Sequence, residues 1–256
     1  MKYAIVNGER KEAEKGLTGQ CPCCEQETVA KCGEIKIKHW AHKGRRACDA
    51  WWENETEWHR NWKSHFPREW QEVVHKADDG EKHIADIKTD QDWIIEFQHS
   101  YLKPEERIAR NHFYKKLVWV VDGKRLKRDW PQFAEAWNKS PAAGNAPIRR
   151  VLTEHCSLLK NWSNDSAPVF IDFGKNENKP ENSILFLVMP KIAGDTVNIM
   201  AYPRSQFLEM YLNPMSKERV DFEKLLIDWP AIIKNYNQVL EHNQRVMSSR
   251  PRRETL

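Results

Sequence analysis

The chain has 256 residues, with 41 Lys and Arg against 37 Asp and Glu and a formal net charge of +4. That length buries a real core in one large domain or two modest ones, and the mild positive charge permits a nucleic-acid partner without demanding one. The charged stretch from Met1 to Glu14 lacks a signal peptide's apolar run and nothing later has the length of a membrane span, so the expectation is a cytoplasmic protein with no membrane partner and no disulfide framework.

Five of the six cysteines fall before residue 49, and thiols clustered in a reducing compartment ask for a metal. Cys21-x2-Cys24 followed by His39-x2-His42 offers two thiolates and two imidazoles, a set that suits tetrahedral zinc in a segment, residues 1–50, with little core of its own. The spare thiols Cys23 and Cys32 leave the ligand set open, and free cysteines beside incidental histidines are the competing account. The histidine spacing is too short for a DNA-reading finger.

Residues 51–138 read as a second unit. Trp58, Trp62 and Phe66 recur at helical spacing ahead of Pro67, which predicts an amphipathic helix with a buried aromatic stripe. Glu57 flanks that stripe. It either reaches inward to a metal site or, three residues after Asn54, closes a capping box, and the helix pattern favours the cap. The period then becomes two: Trp70–Lys76, Lys82–Lys88 and Asp92–Gln98 are predicted strands, turned at Asp78-Asp79-Gly80 and Thr89-Asp90-Gln91. Pro104 and Glu105-Glu106 open a helix through Lys116, and Leu117–Val121 is a continuous apolar run suited to a buried strand.

Within this unit, Asp86 lies on the second strand, and Glu96 and Gln98 share one face of the third, because strand side chains alternate. A carboxylate on each of two adjacent strands, beside a polar group, is what hydrolysis of phosphodiesters with a hard divalent cation requires. Two solvated acids on the polar face of a sheet explain the spacing as well. Past a linker at Lys139–Pro147, residues 148–256 predict strands at Ala167–Phe173, Ser183–Met189 and Thr196–Ala201, a polar stretch at Gly174–Asn182, helices at Phe222–Ile227 and Trp229–His242, and a basic tail from Ser248. No ligand spacing is visible there, so this half reads as a mixed accessory region for substrate shaping, a protein partner or self-association.

The order helix, three strands, helix, strand (αβββαβ), with Asp on the second strand and Glu-x-Gln on the third, resembles the PD-(D/E)XK nuclease core, with Gln98 where lysine is commoner. Cys21-Pro22-x-Cys24, His39-Trp40-Ala41-His42-Lys43, Glu57-x-His59-x3-Lys63, His83-x-Ala85-Asp86, Glu96-Phe97-Gln98-x-Ser100 and Arg107 ahead of Tyr114 together resemble the competence protein CoiA-like family, over residues 18 to 122. The resemblance implies an α/β (α+β) fold in which a zinc-binding segment precedes a nuclease core. It implies that Asp86 and Glu96 hold Mg²⁺ or Mn²⁺ with a carbonyl near Phe97, that Gln98 is the third motif residue and that Glu57 is the helix acid. Arg107 is then a phosphate contact or a helix-surface partner of Glu105 or Glu106. The expected function is a metal-dependent nuclease of DNA in uptake, recombination or anti-phage and mobile-element defence. The alternative is a non-catalytic nucleic-acid-binding or scaffold protein on a nuclease-like fold.

Overall fold

Two sheets account for every strand in the described residues, and the acids predicted from sequence lie in the second. The computed structural model describes residues 1–44, 48–49, 51, 55–77, 80–140, 148–163, 166–174, 183–190 and 194–248. Asn54, the turn residues Asp78 and Asp79, most of the linker, the polar stretch at 175–182 and the tail from 249 lie outside them.

The first sheet is antiparallel in the order β2-β1-β3-β4-β5: β1 Tyr3–Val6, β2 Glu9–Glu12, β3 Thr18–Gln20, β4 Glu27–Lys31 and β5 His39–His42. Asn7 and Gly8, at φ 52° and 81°, make the two-residue turn between β1 and β2, a backbone state that Asn and Gly adopt at low cost. Ala4, Val6, Cys21 and Trp40 form its small core.

The second sheet runs β10-β13-β12-β11-β9-β8-β7-β6. Its strands are β6 Gln71–Lys76, β7 Lys82–Lys88, β8 Ile94–Gln98, β9 Leu117–Asp122, β10 Ile148–Leu152, β11 Val169–Asp172, β12 Ile184–Val188 and β13 Thr196–Pro203. β8, β9 and β11 are mutually parallel and the other pairs antiparallel. β9 shows why this sheet needs cover on both faces. Leu117, Trp119 and Val121 join one core with α3 (Asp129–Lys139) and α4 (Ser157–Trp162), while Val118 and Val120 join another with α1 (Glu57–Lys63), α5 (Arg204–Leu212) and α6 (Lys217–Ser248). α2 (Pro104–Phe113) packs on the first of these faces through Phe113.

α1, β6, β7, β8, α2 and β9 follow one another along the chain, with a 3-10 turn at Arg68–Trp70. The C-terminal half is no separate accessory layer: β11 pairs in parallel with β9, Val169 against Trp119 through Asp172 against Asp122, so the sheet crosses the anticipated boundary. The two helices expected near Phe222 and Trp229 are one helix that carries Pro230 inside it. Proline costs that helix a backbone bond, and Trp229, whose indole donates to the Pro190 carbonyl at 3.1 Å, fixes the turn to the body. No helix among the described residues is long and apolar enough to cross a membrane.

Candidate active site and metal centre

The N-terminal donors gather, but not in the predicted set. Cys21, Cys24, His42 and Cys48 place one ligand atom each within 4.8 Å of one another. The Cys21 and Cys48 sulfurs are 3.8 Å apart, and Cys24 Sγ is 3.3 Å from His42 Nε2. Tetrahedral zinc at its usual bond lengths sets sulfur–sulfur edges of about 3.8 Å, so three thiolates and an imidazole in this arrangement can hold such a metal. Burial and the neighbouring sulfurs push the Cys21 and Cys48 thiols up from the ordinary range, which is the charge problem a cation resolves.

His39 is a correction. It lies on β5 with His42, and an offset of three along a strand puts two side chains on opposite faces. Its Nδ1 faces the Ile37 carbonyl at 2.8 Å instead. The fourth donor is Cys48, and Cys23 is buried outside the cluster.

Directly after Cys48, Asp49 ties the centre to the second sheet. Its carboxylate accepts from the Ile84 amide at 2.9 Å, from His83 Nδ1 at 2.9 Å and from the Trp51 amide at 2.9 Å. Trp51 stacks on His83 with ring centroids 3.3 Å apart. This packing makes His83 a structural residue.

Asp86, Glu96 and Gln98 line one cleft, together with Lys63, Arg110, Glu55 and Glu72. The cause is local. The β7–β8 ladder is paired at Lys88 with Ile94 and at Ile87 with Ile95, and goes no further. Beyond it the carboxylates replace the missing carbonyls: the Asp86 amide donates to Glu96 Oε1 at 3.3 Å and the Phe97 amide donates to Asp86 Oδ2 at 3.0 Å. The acids thus satisfy the donors that the splayed strands expose.

Two side-chain cations complete the cleft. Lys63 Nζ, from α1, lies 2.8 Å from Asp86, 3.1 Å from Glu72 and 3.3 Å from Glu55. Arg110, from α2, lies 2.9 Å from Glu96 and donates to the Trp51 carbonyl. Asp49, Glu55, Glu72, Asp86 and Glu96 line the cleft with Lys63, Arg110 and Met1, whose terminal ammonium acts on Glu72, so among the described residues five carboxylates meet three cations. Burial and the Asp86 charge raise the Glu96 carboxyl to about 8 despite Arg110. Buried acids short of positive charge suit a hard cation.

The remaining predicted residues fall elsewhere. Glu57 is exposed and lines a neighbouring groove with Glu34 and His39, while Glu55 is the acid that enters the cleft. Glu57 does not close a capping box either, because the cap lies two residues later than its pattern suggests: Thr56 caps α1, and His59 supplies the reciprocal bond. The Phe97 carbonyl, an expected metal ligand, faces His59 Nε2 at 3.0 Å. Gln98 is buried, and its amide donates to the Ser100 carbonyl at 3.2 Å. Arg107 points to the Asn161 carbonyl from a second cavity, and the helix residue paired with Glu106 is Arg110. Sequence reasoning missed Lys63, Arg110, Glu55 and Cys48 as site residues. The signal for Lys63 was its place four past His59 in the Glu57-x-His59-x3-Lys63 motif, and for Arg110 its offset of four from Glu106, with which it pairs.

Fold and site together define a three-layer α/β protein with a Cys₃His centre beside an acidic cleft. Residues 7–50, which hold all four donors of that centre, match the family model described as Competence protein CoiA, N-terminal domain. No curated protein and no solved structure matches the chain significantly.

Proposed function

We propose that the chain is a divalent-metal-dependent deoxyribonuclease of the PD-(D/E)XK type, a cytoplasmic protein whose role lies in DNA uptake, recombination or defence against phage and mobile elements. The observation that carries this reading is the convergence of Asp86, Glu96 and Lys63 on one cleft with an excess of carboxylates. The match of residues 7–50 to a competence-protein domain favours a competence-related role and a structural zinc at the Cys₃His centre.

Mg²⁺ or Mn²⁺ would be held by Asp86 and Glu96, with the rest of the shell left to water and phosphate oxygens, as is usual for Mg²⁺. When bound, such an ion polarises a phosphodiester and lowers the pKa of a coordinated water. The chain's own groups do the remaining work. Lys63 presents a fixed ammonium beside Asp86, where it stabilises negative charge that develops on a phosphate. Gln98 is neutral at every accessible pH, so it positions and does not donate a proton as lysine does. Arg110 holds one oxygen of Glu96, and His59 holds the backbone at Phe97.

A second reading, binding without cleavage, is favoured by one observation: Lys63 and Arg110 already pair with Asp86 and Glu96. The two are separated by cleavage assays on single-stranded, duplex and branched DNA, with and without added Mg²⁺ or Mn²⁺. Metal-dependent products support the nuclease, and retention of DNA without products supports the binder.

A further inference from the structure

A second cavity is lined by Gln98 as well. Its walls are the segments that leave the C-terminal ends of the parallel strands β8 and β9, and α4 closes it behind. Crevices at such strand ends are where open α/β sheets take their ligands. Gln98 lines both this cavity and the acidic cleft, so the two are contiguous.

Three guanidinium groups line the cavity: Arg107, Arg125 and Arg128. The two acids in the same wall are already engaged. Asp122 accepts from His99 Nδ1 at 2.7 Å and from the Lys124 amide at 2.8 Å, and Asp129 accepts from the Leu126 amide at 3.2 Å. Arg107 is buried, lies 5.1 Å above the Trp162 ring and donates to the Asn161 carbonyl, which fixes its plane. Arg125 is half-buried and Arg128 exposed, and neither is ion-paired to a carboxylate among the described residues. Tyr101 stands at the rim, 61% exposed, an aromatic face that no part of the described fold covers.

We infer that this cavity binds the nucleotide adjoining the scissile phosphate in an unpaired nucleic-acid strand, with its phosphate against Arg107, Arg125 and Arg128 and its base on Tyr101. Guanidinium forks match phosphate oxygens bidentately, and an exposed aromatic ring stacks on any base. The strand is unpaired because only an unpaired base can turn its face onto the exposed Tyr101 ring, whereas bases in a duplex are stacked on one another. The strand adjoins the cut because Gln98 borders both sites. The position relative to the cut rests on the nuclease reading; the binding itself does not.

The test uses the full chain carrying Asp86→Asn, with labelled single-stranded DNA, the same sequence as RNA, and blunt duplex DNA, followed by anisotropy over a salt series. Single strands should bind at least tenfold more tightly than duplex, and the RNA arm shows which sugar the strand carries. Arg125→Gln with Arg128→Gln should weaken single-strand binding roughly tenfold or more and flatten the salt dependence by about one phosphate contact. Tyr101→Leu should weaken binding by roughly five- to a hundredfold with the salt slope kept. Unchanged thermal unfolding shows that these surface variants are folded. Equal or tighter duplex binding, or a salt slope unaltered by the arginine pair, overturns the proposal. If strands bind as stated yet wild type cleaves nothing, the nuclease reading fails and the cavity stands. If wild type cleaves but the arginine pair leaves binding intact, the cavity fails alone.

Discussion

Lys63 Nζ lies 2.8 Å from Asp86 Oδ1 with 4% of the lysine side chain exposed. Burial opposes its charge, but Asp86, Glu72 and Glu55 outweigh burial and hold the ammonium well above the ordinary lysine range. A cation delivered from α1 therefore stands in the cleft where the strand itself offers only the neutral Gln98.

Lys63→Met removes that cation from Asp86, Glu72 and Glu55, and leaves buried Glu55 with Arg60 and buried Glu72 with the Lys2 and Tyr3 amides and the terminal ammonium. Breaking a buried ion network from one side costs about 3–5 kcal/mol, so urea unfolding should show a loss of that order, and Lys63→Arg, which keeps the charge, should lose less. A Met variant as stable as wild type would mean that the partners left to the acids suffice.

The metal centre separates two ligand sets cleanly. Protein prepared without chelator should carry about one zinc per chain. Cys48→Ser should lose it and destabilise the fold, since Asp49 and Trp51 beside it brace β7 and Arg110. His39→Ala should keep its zinc, because His39 faces away from the cluster. Metal analysis with those two results reversed would restore the His₂ set.

Glu72 gives the fold an acid limit. Burial alone would raise its carboxyl, but Lys63, the terminal ammonium of Met1 and the amides of Lys2 and Tyr3 bring it down to about 2. A carboxyl depressed on folding contributes stability that is complete above its unfolded value near 4.5 and fades as pH falls toward 2. The contribution is on the order of 3 kcal/mol. Glu72→Gln should therefore be less stable than wild type at neutral pH, with the gap closing between pH 4.5 and 2. A gap independent of pH in that window would assign the loss to packing.

Legibility followed local periodicity. β6, β7, β8 and β9 were readable because Val73, Ile87, Ile95 and the Leu117–Val121 run alternate or persist in ways only a sheet explains, and Glu96 and Gln98 fell on one face for the same reason. The interrupted ladder at Asp86 was not readable, since it is set by pairing across strands and leaves no mark on spacing. β5 hid because His39-x2-His42 looks like a ligand pair only if the backbone is not extended. β10, Ile148–Leu152, carries two arginines on an edge strand and lacks an apolar period. The parallel pairing of β11 with β9 joins distant segments, so a composition-based boundary fell inside a single sheet.

That continuity has a stability signature. Asp172, on β11, is 1% exposed and accepts from the indoles of Trp58 at 3.1 Å and Trp62 at 2.8 Å and from Arg204 at 3.1 Å. It thereby clamps α1, the helix that carries Lys63, to the C-terminal half. Asp172→Ala leaves a buried arginine unpaired and should cost about 3–5 kcal/mol, read as a single cooperative loss of the whole fold. Two separate transitions, with residues 51–138 unfolding independently, would contradict one shared sheet.

The most direct measurement is cleavage of DNA by wild type beside Asp86→Asn, each with and without Mg²⁺ or Mn²⁺, together with circular dichroism of both. Asp86→Asn keeps side-chain volume and removes one charge from the cleft. The account predicts matching spectra, metal-dependent cleavage by wild type, and a loss of orders of magnitude in the variant. Equal activity in the two folded proteins would contradict it.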